Sequence, residues 1–339
     1  MSEYRRDPIT GRWAIVAESR AARPNEYLKR VAPSAPADCP FCPGHESWTP
    51  PEVAALRASG SPANGPGWTV RAVPNKFPSL VASARPDGRS PRSAETDRLP
   101  GYGMHEVIVE SPEHGSRFSQ FPPETARAIL GMARDRVRAL SESPEIAAVI
   151  TFENYGDESG GTLFHPHLQL VALPAVPLQL AEELSGARRY AAARAVPCAF
   201  ESVVASERAA RERLVRETPT FTAYCPFASE YPFEVRIVPR RHAGSLAEAT
   251  DAELEGLSSL VPSVLRALEH VRPMASYNLV LRSVAPVGDL PTEYHWHLDL
   301  LPRLIRPDGF ELGSGIPVNA VAPESAAQDL RGTLGDGAR

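Results

Sequence analysis

A weak internal duplication constrains this chain more than any other feature. His105-Glu106-Val107-Ile108-Val109-Glu110-Ser111-Pro112-Glu113-His114 is strand-like and ends in histidine, and Phe233-Glu234-Val235-Arg236-Ile237-Val238-Pro239-Arg240-Arg241-His242 has the same shape. A helical stripe follows each: Ala126, Ile129, Leu130, Ala133, Val137 and Leu140, then Leu254, Leu257, Val261, Val264, Leu265 and Leu268. Next comes a strand, Ala147 to Phe152 in one copy and Asn278 to Leu281 in the other. Each copy closes on a histidine pair, His165-Pro166-His167-Leu168-Gln169 and His295-Trp296-His297-Leu298-Asp299. The interval from His114 to His165 nearly equals that from His242 to His295. Order, spacing and residue type agree, so the pattern predicts two fused copies of one α+β unit joined by a helical linker near residues 178–216. The units are placed at 1–180 and 181–339. Pro262 is expected to kink the second helix or shift its start. Residues 59–66 and 82–101, rich in Gly, Pro, Ser, Arg and Asp, read as exposed loops.

A chain of 339 residues has ample length for two such units. Its formal charge of −5 is spread over well-mixed acidic and basic residues, which gives no electrostatic footprint for nucleic acid or an anionic membrane. No apolar run is long enough to span a bilayer, and the polar start, Met1-Ser2-Glu3-Tyr4-Arg5-Arg6-Asp7, lacks a signal-peptide core. Of the four cysteines, two sit in a chelating pattern, so a reducing cytoplasm is expected rather than a disulfide framework.

The chemistry gathers on the histidine pairs and on Cys39-Pro40-Phe41-Cys42. On a strand, residues two apart share a face, so His165, His167 and Gln169 can offer a metal ligand, a nucleophile and a neutral hydrogen-bonding amide side by side. The Cys pair is half of a zinc site. No second such pair exists for a zinc ribbon, and no His-x-Glu precedes it as a zinc deaminase would need. The remaining ligands are then expected to be His114 and His165, in a closed site that braces; the competing reading is two reduced cysteines in a turn. His242, His295 and His297 can meet in the second copy, with Glu182 and Glu183 the nearest carboxylates. Such a set suits iron or zinc about equally. Before His167 runs a glycine- and hydroxyl-rich loop, Asn154 to Thr162, of the kind that brings backbone N–H groups against phosphate. Gln169 can donate to a phosphoryl oxygen but cannot exchange a proton near neutral pH, which favours a covalent phospho-histidine that waits for an acceptor other than water. Arg20 and Arg23, after a strand at Trp13 to Val16, can neutralise phosphates.

These residues resemble the galactose-1-phosphate uridylyltransferase family of the histidine-triad superfamily. The resemblance covers most of the chain. It runs from Arg5-Arg6-Asp7-Pro8-Ile9-Thr10-Gly11-Arg12-Trp13 through the Cys pair, Pro74-Asn75-Lys76-Phe77, Phe152-Glu153-Asn154 and the His-Pro-His-x-Gln strand to Gly309-Phe310-Glu311-Leu312-Gly313. It implies an α+β fold of two fused histidine-triad-like units, each an antiparallel sheet with packed helices, and a homodimer. His167 would be the nucleophile that attacks the α-phosphorus of a UDP-sugar, expels sugar 1-phosphate and forms a nucleotidyl-histidine; Gln169 would hold a phosphoryl oxygen. Cys39, Cys42, His114 and His165 would bind structural zinc. Glu183, His242, His295 and His297 would match a second metal site, holding iron or a second zinc. Arg20, Arg23, Asn75, Asn154, Gly160 and Thr162 would line the nucleotide, with Phe310 and Gly313 in the sugar segment. Family transferases carry an aromatic residue and a Glu late in that segment, where this chain has Ser314 and Gly315. That ending, together with Gly103-Met104-His105-Glu106-Val107, is similar to a branch resembling plant ADP-glucose phosphorylase, which uses phosphate or sulfate as acceptor.

Overall fold

The computed structural model describes residues 2–18, 36–84, 101–284 and 294–334. Arg20, Arg23 and most of the 82–101 segment lie outside them. In chain order the first half contains β1 (Glu3–Arg6), β2 (Trp13–Val16), β3 (Ala54–Arg57), β4 (Trp68–Pro74), β5 (Met104–Val109), α1 (Pro123–Ser141), β6 (Ala148–Tyr155) and β7 (His167–Leu173). The rest contains α2 (Leu178–Arg194), α3 (Ala199–Ala210), β8 (Leu214–Glu217), β9 (Phe221–Tyr224), β10 (Val235–Pro239), α4 (Asp251–Val271), β11 (Tyr277–Val284), β12 (His297–Pro302), α5 (Gly309–Ser314), β13 (Val318–Asn319) and α6 (Pro323–Thr333).

Ten of these strands form one sheet in the order β3-β4-β5-β7-β6-β11-β12-β10-β9-β8. The order is a mirror about the β6–β11 seam: β7 answers β12, β5 answers β10 and β4 answers β9. The duplication therefore folds as two histidine-triad-like units sharing one continuous antiparallel sheet, joined by Ala148–Tyr155 pairing with Tyr277–Val284. The linker is α2 and α3.

One face of the sheet packs on α1 and α4. Ile108, Leu168, Leu170, Leu279, Leu281 and Leu300 meet Ile129, Ala133, Val137, Leu257, Val261 and Leu265 in a core that crosses the seam. The α4 helix runs unbroken through Pro262. Its fully buried stripe holds the helix together despite the lost N–H, and a reciprocal cap starts it: Thr250 Oγ1 accepts from the Glu253 amide (3.2 Å) while Glu253 Oε2 accepts from the Thr250 amide (2.8 Å). The other face carries the histidines. In the second unit α2 and α3 cover it through Leu180, Ala187 and Phe200, which pack with Tyr294.

The N-terminus crosses to the second unit. Strands β1 and β2 pair with each other, and β2 pairs in parallel with β13. The turn that joins β1 to β2 lies so close to α2 that a Cβ at Gly186 would meet the Ile9 carbonyl oxygen at 2.1 Å. Gly186→Ala sets a helix-propensity gain of about 1 kcal/mol against overpacking of about 1–3 kcal/mol. Because the obstacle is backbone, the clash should win. A lower urea midpoint is expected, and an unchanged or raised midpoint would show that the turn yields freely.

Candidate active site

His167 opens β7 and is opposed by Val109 on β5. Its Nδ1 donates to the carbonyl oxygen of His165 at 2.8 Å, which leaves Nε2 unprotonated and its lone pair available. Burial holds the imidazole below its ordinary pKa and the carbonyl contact pulls the other way, so the ring is neutral at pH 7. Phe41 packs on it with ring centroids 5.2 Å apart. A cleft beside the ring is lined by Asn154, Gly156, Asp157, Gly161 and Phe164, so the glycine-rich loop does reach His167. Gly160 is left-handed at φ +83° with open space where a Cβ would stand. Thr162 is exposed on the same loop. The Asn154 amide is fixed from behind: Asn278 Nδ2 donates to Asn154 Oδ1 at 2.7 Å and to the Ser159 carbonyl at 3.0 Å.

Gln169 faces the same side as His167, with His105 Nε2 at 3.0 Å from its Oε1. Asn75 is turned toward this pair. The linear spacing gave His105 and Asn278 no part in the site. Strand parity would have placed His105 on the Gln169 face, but Asn278 emerges only from the β6–β11 register. Phe310 and Gly313 lie exposed on α5 and do not line the His167 cleft. The segment before α5 is tied to the glycine-rich loop by Arg306, whose Nη2 is 2.7 Å from Glu158 Oε1.

The metal-ligating atoms of Cys39, Cys42, His114 and His165 all lie within 4.8 Å of one another. His165 Nε2 donates to the Ser111 carbonyl at 2.7 Å, which turns its bare Nδ1 toward Cys39 (3.6 Å) and Cys42 (3.7 Å). Burial first, then its neighbours His114 and His167, hold the His165 pKa near 4, keeping it a neutral donor. Burial and the adjacent Cys39 push the Cys42 thiol up to about 11. A divalent cation would relieve that cost by stabilising both thiolates. The donor set is that of a closed tetrahedral site.

The second set differs from the sequence expectation. His242 and His295 are joined by Cys198 and Glu201, and these four form the group that can hold a metal. Cys198 Sγ is 3.8 Å from His295 Nδ1, and Glu201 Oε1 is 3.6 Å from His242 Nδ1. Burial and the flanking His242 and His297 hold the His295 pKa at about 3, so it too is neutral. Glu183 and His297 fall outside that group, and a cationic side chain stands between them. Arg282 Nη1 is 3.3 Å from Glu183 Oε1, 3.4 Å from His297 Nε2 and 2.7 Å from Asp299 Oδ2. Arg236 closes the network with two bonds to Asp299, at 2.7 and 3.0 Å.

Comparison with known proteins places this architecture. Residues 1–177 match the galactose-1-phosphate uridyl transferase N-terminal domain, and residues 148–310 match its C-terminal domain. The chain belongs to the galactose-1-phosphate uridyl transferase family. An ADP-glucose phosphorylase of Arabidopsis thaliana is 29% identical over 97% of this chain and 92% of its own. A galactose-1-phosphate uridylyltransferase of Thermotoga maritima is 28% identical over 98% of this chain and 99% of its own. Among solved structures, the Arabidopsis ADP-glucose phosphorylase with bound ADP-glucose superposes with a TM-score of 0.82 at 29% identity, covering 98% of this chain and 99% of that one. A uridylyltransferase structure gives 0.76 at 27% identity over the whole of both chains. No helix among the described residues is long and apolar enough to cross a membrane.

Asp299 is the keystone of the arginine network. Burial alone would raise its carboxyl pKa; Arg236 above all, then His297 and Arg282, hold it well below the usual range. Asp299→Asn leaves two buried guanidinium groups short of charge and should cost about 3–5 kcal/mol in urea denaturation. With the folded pKa depressed, the penalty is full above about pH 4 and shrinks as pH falls through the folded value. A loss under about 1 kcal/mol at pH 7 would mean the network is solvated.

Proposed function

We propose that this protein is a nucleotidyltransferase that moves UMP from a UDP-hexose to a hexose 1-phosphate by ping-pong exchange through His167. The observation that carries the reading is the Nδ1 bond to the His165 carbonyl at 2.8 Å, which leaves Nε2 as a fixed nucleophile. Nε2 attacks the α-phosphorus, and the bond to the sugar 1-phosphate oxygen breaks as the phosphorus–nitrogen bond forms. A second sugar 1-phosphate then attacks the same phosphorus and regenerates neutral His167. Donors along the cleft stabilise charge on the phosphoryl oxygens, with the Gln169 amide among them. Asn154, Gly160 and Thr162, with Arg20 and Arg23, bind the nucleotide; Phe310 and Gly313 serve the sugar. The catalytic unit is 1–180 and its partner unit 181–339, working as a cytoplasmic homodimer.

A second reading keeps the intermediate and changes the exchange: an ADP-glucose phosphorylase with phosphate as acceptor. It is favoured by the 29% identity to the Arabidopsis enzyme and by Gly315 where family transferases carry Glu. Isotope exchange separates the two. With UDP-glucose and labelled glucose 1-phosphate, label should enter UDP-glucose without any other acceptor. His167→Gly should abolish exchange while retaining fold and metal. Exchange with ADP-glucose and phosphate alone would establish the second reading, and undiminished exchange in His167→Gly would end both.

Both metal groups are assigned zinc. Cys39→Ser should remove one of two zinc equivalents by elemental analysis and lower the melting temperature. Retention of both equivalents would show that Cys39 is no ligand.

A further inference from the structure

Two donors converge on the side-chain oxygen of Gln169. His105 Nε2 lies 3.0 Å from Gln169 Oε1, and Asn75 Nδ2 lies 3.5 Å from the same atom. Backbone groups, whose roles are unambiguous, fix which atoms donate. The Ser79 amide donates to His105 Nδ1 at 3.2 Å, and a neutral imidazole that accepts at Nδ1 carries its proton at Nε2. The Phe77 amide donates to Asn75 Oδ1 at 2.8 Å, which turns Asn75 Nδ2 inward. Asn75 Nδ2 and His105 Nε2 sit 3.1 Å apart, side by side, with one acceptor between them.

The strand register gives this arrangement a direction. His105 on β5 is opposite Val171, two residues beyond Gln169 on the side away from His167. With its oxygen engaged by His105 and Asn75, the Gln169 amide has its two N–H groups left to offer the site. A flipped amide would set its NH2 against two donors and its oxygen against the phosphoryl oxygens. The site would lose a donor and gain a repulsive dipole.

We propose that His105, assisted by Asn75, is a positioning residue that locks the Gln169 amide with its N–H groups toward the phosphoryl group transferred to His167. The proposal rests on the nucleotidyl-histidine reading above. Its effect belongs to the transition state, where charge on the non-bridging oxygens must be met by donors already in place, more than to donor affinity.

A double-mutant cycle tests it. Wild type, His105→Phe, Gln169→Ala and the double variant are mixed with saturating UDP-glucose, and the rate of covalent adduct formation is read by quenched-flow mass spectrometry. His105→Phe should slow adduct formation by about tenfold or more when Gln169 is present and by little when it is Ala. Donor affinity should change far less than the rate. His105→Gln, which keeps an N–H donor, should recover part of the rate. Equal losses in both Gln169 backgrounds, or no loss in either, would overturn the proposal. The tautomer is read separately by 15N NMR of the imidazole. A proton on Nε2 of His105 is expected, and a proton on Nδ1 overturns the proposal even if wild type forms no adduct, a result that would count against the His167 reading instead.

Discussion

The carbonyl oxygen of His165 is the fulcrum of the site. It accepts the Nδ1 proton of His167 and so decides which nitrogen of that ring is nucleophilic. The carbonyl can do this only if His165 is itself immobile, and two constraints hold it. The Ser111 carbonyl takes its Nε2 proton, and its Nδ1 faces the Cys39–Cys42 pair. A metal in that cluster would reach the chemistry through one residue of backbone. It would brace His167 through the backbone alone.

The second unit shows what the same frame does when one position changes. His297 repeats the geometry, with Nδ1 3.1 Å from the His295 carbonyl and Phe200 stacked on its ring at 5.1 Å, as Phe41 packs on His167. There Asp299 stands in the place of Gln169, and Arg282 brings a guanidinium against the outward nitrogen. A hydrogen-bonded, positively charged cap removes the lone pair that His167 keeps. One unit thus holds an imidazole with an unprotonated Nε2 beside the glycine-rich loop, and its twin spends the same histidine in a buried ion network that reaches α2 through Glu183.

Much of this was legible in the sequence because it is periodic or local. The two strand–helix–strand–histidine passages, the helical stripes and the Cys39–Cys42 knuckle depend on nearest-neighbour spacing. The structure groups other residues with His242 and His295 than spacing suggested, for a physical reason. Glu183 lies near His297 in space, but Arg282, which neutralises it, stands on a strand about a hundred residues further along, and no spacing rule reveals that contact. A signal for this grouping was present in the duplication: Cys198-Ala199-Phe200-Glu201 repeats Cys39-Pro40-Phe41-Cys42 with one thiol exchanged for a carboxylate. Pro262 does not shift the start of its helix, since burial on the sheet outweighs a single missing hydrogen bond. The side chains that touch Gln169 and Asn154 come from neighbouring strands or, for Asn75, from just beyond one, so they needed the register.

The most direct measurement is the intact mass of the metal-loaded protein after mixing with UDP-glucose, and separately with ADP-glucose, with no acceptor present. A single acid-labile nucleotidyl group mapped to His167, and absent from His167→Gly, is the predicted result. A nucleotide bound without covalent addition from either donor, or an adduct on His297, would contradict the account.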